Sequence, residues 1–475
     1  MNQDPFVRPK LTVLDPIQIE QVHGYSLQIL STVGVRVDSE RARRLLVSAG
    51  GEQPAGSHHV RLPRALVERA LQTAPASVQI YNRLGTPAFD LPGEARFGIG
   101  VTALYYQDPE TDNVTPFARQ HMADLVRLGH NLPSFDAIST VGVIQDMAPD
   151  VADLYAVLEM TANTTKPLII LISDENRFPD ALNLLEHLHG DLATRPAVIP
   201  YFNPITPLVI NEGTSDKMMA AIERDIPFIY SSYGMAGAST PITPGGALAM
   251  LNAELLAGLT LSQVIKAGTP VILGILPAFF DMKGMGSFYD MASYVLDLAC
   301  AEMMAHYHLP HSGTSGSGMG WGVDLITAGN QWLNHIVSCL GSVGLVPFVG
   351  DILTSLVFSP AVIVYADEII AQARRLAQGF LLDDSTVSIE EIAQVGPGGS
   401  FLMSDLTLKH FRQAYFHSEI FAQWSLDEWQ AQGQPRAEML VRRRTRHLLA
   451  TSSPPDDHAE VLARGTDFIQ SITGQ

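Results

Sequence analysis

The chain has 475 residues, 46% of them hydrophobic and only 17% charged, which is enough apolar material for a large core and excludes a coiled coil or a disordered chain. Its formal net charge of −19 argues against a general nucleic-acid binder, since phosphate recognition needs clustered Lys and Arg. Two cysteines, Cys300 and Cys339, exclude a disulfide scaffold and a cysteine zinc site.

The first residues, Met1 to Asp15, contain no apolar signal core, and no run of 18 or more apolar residues follows, so the expectation is a cytoplasmic protein with no membrane role. Residues 1–95 read as an α-rich N-terminal extension. Ile17 to Val33 is amphipathic, with Ile17, Val22, Leu27 and Leu30 near helical spacing. Asp38 is the expected N-cap of a second helix, which Gly50-Gly51 ends. A short strand at 59–62, a helix after Pro63 and a strand over Val78 to Tyr81 complete this leader.

From about Phe97 the pattern turns repetitive. Short apolar runs end in Gly, Ser, Asn or Pro and are followed by helical stretches. The runs are Arg96–Gly100, Ala137–Val143, Leu168–Ile172, Ala197–Phe202, Phe228–Ser231, Val271–Leu276, Leu309–Gly313 and Leu345–Val349. Eight runs over roughly 250 residues predict an α/β fold, a (β/α)8 TIM barrel spanning 96–360, in which the first and seventh strands are weak. No Gly-x-Gly-x-x-Gly follows an early strand, so an open dinucleotide-binding sheet has little support. Residues 361–475 read as a helical C-terminal section packed on the barrel, with helices expected over Ala361–Gln378, Ser388–Ile392 and Leu406–Trp429. The basic run Arg442-Arg443-Arg444-Thr445-Arg446 lies in a helical stretch and reads as a solvated or interface face.

Chemistry in such a barrel sits in the loops after the strands. Here those loops are rich in Gly, Ser, Thr, Met and aromatics and poor in charge, and no Ser/His/Asp arrangement is legible. The glycine-rich stretch Ser312 to Asp324 lets the backbone approach a flat cofactor or a substrate, which makes Gly316, Gly318 and Gly320 candidate cofactor contacts. Aromatics cluster in the same regions, and a neutral aromatic pocket suits an organic cation. The expected substrate contacts are Phe97, Asn203, Phe279, Trp321, Asn334, His335 and Phe348. At least two of the rings Phe97, Phe279, Trp321 and Phe348 are expected in one cavity, with His335 and Asn203 near it. His306, His308 and His311 have a spacing that can serve a metal, against the plainer reading of histidines at a helix C-terminus.

Several motifs occur in one order: Asn203-Pro-Ile-Thr-Pro-Leu208, Met235-Ala-Gly-Ala-Ser-Thr-Pro-Ile-Thr-Pro-Gly-Gly-Ala-Leu-Ala249 and Asn252-Ala-Glu-Leu-Leu-Ala-Gly258. Val33-Gly-Val-Arg-Val37 and Arg61-Leu-Pro-Arg-Ala-Leu-Val-Glu68 precede them. Phe358-Ser-Pro360, Asp367-Glu-Ile369, Gly398-Gly-Ser-Phe-Leu402 and Thr407-Leu-Lys-His-Phe411 follow. Together they resemble the trimethylamine methyltransferase family over about residues 11–430. The resemblance implies a barrel enzyme that moves a methyl group from an amine nitrogen to cob(I)alamin. That corrinoid (cobalamin) is carried by a partner corrinoid-binding protein and not bound tightly by this chain, which lacks an Asp-x-His-x-x-Gly motif. Trimethylamine enzymes carry pyrrolysine in a segment that aligns with Gly316–Asp324, where this chain has neither pyrrolysine nor lysine. It therefore resembles the members that act on small quaternary amines such as glycine betaine, with no catalytic side chain assigned, because the nucleophile is the partner's. Barrels of this family self-associate, so a homo-oligomer is implied as well. In the tail, Ser400 and Leu406 stand where relatives usually have histidine, which leaves open a non-catalytic quaternary-amine binding protein of the same fold. A metal-dependent barrel enzyme using His306, His308 and His311 is the remaining alternative.

Overall fold

The predicted runs pair side by side in chain order, as near-continuous apolar strands buried on both faces do. The computed structural model describes residues 5–313, 318–341, 343–418 and 420–474. Six parallel strands follow one another: β1 (Arg96–Ile99), β2 (Ala137–Ser139), β3 (Leu168–Ile170), β4 (Val198–Phe202), β5 (Phe228–Ala236) and β6 (Val271–Asp281). The last strand, β7 (Leu345–Val349), returns to pair with β1.

The gap between β6 and β7 is filled by the run predicted as the seventh strand. It forms isolated parallel bridges, Leu273 with His311 and Ser312 with Leu345, and is too short to count as a strand. Its backbone still bonds both neighbours: Ser312 N donates to Leu273 O (2.9 Å) and Leu345 N to His311 O (2.9 Å). Pro310 brings no N–H to the ladder, which accounts for the brevity of the pairing. Gly274 on β6 makes the closure possible, because a Cβ there would sit 1.6 Å from the Ser312 carbonyl oxygen. The barrel is closed, and helices Arg119–Asn131, Pro149–Asn163, Phe178–His189, Glu212–Glu223, Pro244–Ile265, Met291–His306, Leu325–Leu340 and Pro360–Gln378 alternate with its staves.

Helix Pro244–Ile265 is long and apolar enough to cross a membrane by composition, yet it is buried nearly throughout. It packs between β5 and the leader helices Pro16–Thr32 and Arg64–Thr73, and a helix covered on every side has no need of a polar face. In the leader, Ser39 takes the N-cap place expected for Asp38: its hydroxyl accepts from Ala42 N, while Asp38 pairs with Arg36. The leader also contributes the antiparallel pair Val78–Tyr81 and Pro87–Leu91. Val78, Ile80, Phe89 and Leu91 share one apolar cluster with Ala137, Ile169, Ile199, Ile229, Ile272 and Leu345, which line the barrel interior. These interior residues lie toward the starts of their strands, so the pair stoppers the N-terminal end of the barrel.

The stretch expected as one helix over 406–429 is two, Asp405–Ala414 and Leu426–Ala431. The Arg375 guanidinium donates to the carbonyls of Gln413 and Ala414 and ends the first. Ser425 with Glu428 forms a capping box that starts the second. The basic run lies on helix Ala437–Thr451, where Arg442 pairs with Asp112 (2.7 Å) and Arg446 with Glu110.

Candidate active site

Alternation along each strand decides which side chains reach the barrel mouth. On β4, Ile199 and Tyr201 point inward and Val198 and Phe202 outward; on β5, Ile229 points inward and Phe228 and Tyr230 outward. Continuing the same parity brings Asn203 and Tyr233 to the C-terminal end. There they line a cavity of about 410 Å³ with Val101 and Thr102 after β1, Leu171 after β3, Leu276 on β6 and Phe348 on β7. Ser287 and Tyr289, beyond the extension of β6, and Thr354 and Ser355, beyond β7, complete the wall. Four aromatic rings therefore face one space, and among the described residues no Asp, Glu, Lys, Arg or His lines it. Tyr201 and Phe348 meet edge to face, ring centres 5.1 Å apart. Burial pushes the Tyr201 phenol up, opposed by its neighbours Ser231 and Asn203, so the ring stays a neutral phenol.

The loop that carries Asn203 is anchored from behind. Asn203 Nδ2 donates to Ser231 O (2.6 Å), and its own carbonyl accepts from Thr214 Oγ1 (2.8 Å). Thr206 Oγ1 donates to Glu254 Oε2 (2.8 Å) and Leu208 N to Glu254 Oε1 (2.5 Å). Glu254 is buried on helix Pro244–Ile265. Burial pushes its carboxyl up, partly offset by the Leu208 N–H and the Thr206 and Ser232 hydroxyls. The motifs at Asn203–Leu208 and Asn252–Gly258 thus belong to one device, in which a buried carboxylate fixes the loop after β4.

The wall beyond β7 is unusual in its backbone. Leu353, Thr354 and Ser355 have φ of 53°, 57° and 67°, a left-handed turn of three non-glycine residues. Such residues cost roughly 1–2 kcal/mol each and persist only where the surroundings hold them. Here Leu353 N donates to Gly320 O (3.2 Å), Thr354 N to Gly318 O (2.9 Å) and Ser355 Oγ to Asp351 Oδ2 (2.8 Å). Thr102, after the neighbouring strand β1, is left-handed as well (φ 58°).

Of the expected site residues, the structure brings Asn203 and Phe348 to this cavity. Phe97 points outward from β1 and is fully buried against helix Leu325–Leu340, where its ring meets His335 edge to face at 5.3 Å. The two are therefore corrected from mouth residues to packing between barrel and helix. His335 Nε2 lies 2.7 Å from Gln331 Oε1, and burial, with Arg374 next, pushes the imidazole down to about 3. Asn334 is buried on the same helix, and neither of its amide atoms has a hydrogen-bond partner among the described residues. Phe279 extends past the barrel and packs on Phe288, centres 6.1 Å apart. Trp321 is 64% exposed and lines a separate groove with Tyr365 and Arg442. Gly316 lies outside the described residues. Gly318 packs closely on the 351–355 turn, and Gly320 on Asp324 and Thr327 at the head of helix Leu325–Leu340. Ser400 and Leu406 do not line the cavity.

The histidine triplet does not converge. His306 lies beside His23 and 3.6 Å from Glu20, His308 is exposed at the helix end, and His311 is buried in the barrel wall. Among the described residues no group of three His, Cys, Asp or Glu can hold a metal, which removes the metal-dependent reading based on these histidines.

The sequence matches the family model described as trimethylamine methyltransferase (MTTB) over residues 4–473. It is 25% identical to the trimethylamine methyltransferase MttB of Desulfitobacterium hafniense strain DCB-2 over 427 residues, 88% of this chain and 85% of that one. It is likewise 25% identical to the glycine betaine methyltransferase of Desulfitobacterium hafniense strain Y51 over 469 residues, 97% of each chain. In fold it is similar to the crystal structure of the Methanosarcina barkeri monomethylamine methyltransferase, with a TM-score of 0.50 at 8% identity, over 99% of this chain and 96% of that one.

Proposed function

Because the chain belongs to the trimethylamine methyltransferase family, we propose that it moves a methyl group from a small quaternary amine, of the glycine betaine kind, to a corrinoid carried by a separate protein. The observation that carries this reading is the cavity at the barrel mouth: four aromatic rings, Tyr201, Tyr233, Tyr289 and Phe348, around an uncharged space. Faces of aromatic rings attract a quaternary ammonium by roughly 0.5–2 kcal/mol each. They cannot act as bases or acids on it, and none is needed, because a quaternary nitrogen leaves as a neutral amine. The corrinoid, when delivered, supplies the attacking nucleophile.

The chain's own work is then to hold the cation with one methyl toward the opening and to keep water out. Asn203 presents a polar edge at one side of the cavity. The rim suits a flat apolar partner group. Leu104, Ile205, Ile242, Met282, Met285 and Leu356, all in loops after strands, are between 41% and 75% exposed around the same face. The reading places the reaction in the cytoplasm, consistent with two free cysteines.

The test is methyl transfer from glycine betaine in the presence and absence of a reduced corrinoid protein or free cob(I)alamin. Dimethylglycine is expected only when the corrinoid is supplied. Product formed without it, or with S-adenosylmethionine alone, defeats the reading. The cavity is checked separately. Tyr201→Leu and Tyr233→Leu keep most apolar area but lose the ring, and calorimetry should show cation binding weakened about 2- to 30-fold with the fold intact. Leu variants that bind the cation as well as the parent would mean the rings only pack.

A further inference from the structure

Asp351 stands one layer behind the cavity wall. Only 2% exposed, it follows β7 and Gly350 in a short antiparallel pair with Phe358. Its carboxylate accepts from Ser355 Oγ at 2.8 Å, and Ser355 itself lines the cavity. No Lys, Arg or His pairs with it among the described residues; burial and the Ser355 hydroxyl dominate its surroundings. A carboxyl in such a place is normally neutralised or matched by a cation. The turn gives no reason to keep an acid there, since an Asn oxygen accepts equally well from Ser355.

The geometry points to Asp351 as the counter-charge that makes this cavity select a cation over a neutral ligand of the same shape. The inference rests on the quaternary-amine reading above and adds the group that fixes its charge preference. A quaternary ammonium has no N–H to donate, so it gains nothing from a carboxylate in hydrogen-bond contact. It gains from a nearby negative charge acting through a low-dielectric wall. A carboxylate touching the methyl carbons would also be a rival methyl acceptor. Behind Ser355 it is kept from that role.

Burial pushes the Asp351 carboxyl up to about 7, with the Ser355 hydroxyl opposing. Without a cation the carboxyl is therefore mostly protonated below neutrality and mostly ionised above it, and a cation bound below neutrality makes it give the proton up to solvent. Tyr294 on helix Met291–His306 feels the charge of Asp351 and of Asp297 on its own helix, Tyr106 pairs with Phe358 on the adjoining strand, and no charged side chain among the described residues acts strongly on Asp351 itself. Tyr294 has its phenol pushed up to about 12 by burial first, with the negative charges of Asp351 and Asp297 adding to it and a hydrogen bond with Asn330 opposing.

The probe is tetramethylammonium, which does not itself titrate, with 3,3-dimethylbutanol as the neutral control. Calorimetry on the intact protein between pH 6 and pH 8, in buffers of different ionisation enthalpy, reads both affinity and proton release. A group titrating near 7 is about one-tenth ionised at pH 6 and nine-tenths at pH 8. Affinity for the cation should therefore rise about tenfold over that range, with a proton released per cation bound at the lower end. The neutral control should show neither effect. Asp351→Asn, which keeps the Ser355 bond, should bind tetramethylammonium with a flat pH profile and more weakly than the parent does even at pH 6, where the parent still draws on its ionised fraction. A flat profile in the parent overturns the role of Asp351, and so does an unchanged slope in Asp351→Asn. If neither tetramethylammonium nor glycine betaine binds at any pH, the quaternary-amine reading itself falls, and this one with it.

Discussion

Glu254→Ala is expected to abolish methyl transfer at least about a hundredfold and to destabilise the protein by roughly 2–4 kcal/mol. The carboxylate does not touch the cavity. It holds Thr206 Oγ1 and Leu208 N, and through them the loop that carries Asn203. Removing it leaves the half-buried Thr206 hydroxyl and Leu208 N–H without the acceptor that ties their loop to the buried helix. The loop relieves this by moving, and Asn203 moves with it. Glu254→Gln separates charge from geometry. The amide oxygen accepts one of the two bonds, so most of the stability and part of the rate should return. Chemical denaturation gives the first quantity, and single-turnover transfer to a supplied corrinoid gives the second. If Glu254→Ala keeps full rate while losing stability, the loop is held well enough by the Asn203 and Thr214 bonds alone, and the positioning role is wrong.

Gly274→Val should have the larger structural effect. Its Cβ would lie 1.6 Å from the Ser312 carbonyl oxygen, well inside any permitted contact, and the atom it meets is backbone. Relief requires segment 309–313 to leave the wall, which breaks the Ser312–Leu273 and Leu345–His311 bonds. A loss of at least about 3 kcal/mol is expected, beyond ordinary overpacking, because no rotamer change helps. The protein should be recovered mostly insoluble or melt well below the parent. Gly329→Ala is the matched control: it lies inside helix Leu325–Leu340 with nothing within 4 Å of the added carbon. It should be neutral or gain up to about 1 kcal/mol. A soluble Gly274→Val with unchanged melting would show that the barrel tolerates an open seventh position.

The barrel was legible because its strands are buried on both faces and so read as short apolar runs between helices. Even the weak seventh run was placed correctly, and its weakness proved to be Pro310 and bridge-only pairing. The site was legible only in part, and the reason is parity. Asn203 marks the inward face of β4, so Tyr201, two residues earlier, was available to the same argument, as Tyr233 was from Ser231. Counting aromatics near strand ends picked Phe97 instead, which stands on the outward face. Asp351 had no such signal. A lone aspartate in a loop looks solvated, and only the left-handed turn folded over it shows that it is buried.

The stopper formed by Val78–Tyr81 and Pro87–Leu91 has a kinetic consequence. With one end of the barrel filled by side chains, amine and macromolecular partner share a single doorway. Once the partner sits on the rim, a free amine has no second route to the cavity. On the proposed function, binding is then expected to be compulsory-ordered, amine first and partner second, with the demethylated product caged until the partner departs. Initial-rate patterns should intersect accordingly, and excess partner should inhibit by docking on barrels that have not yet taken an amine.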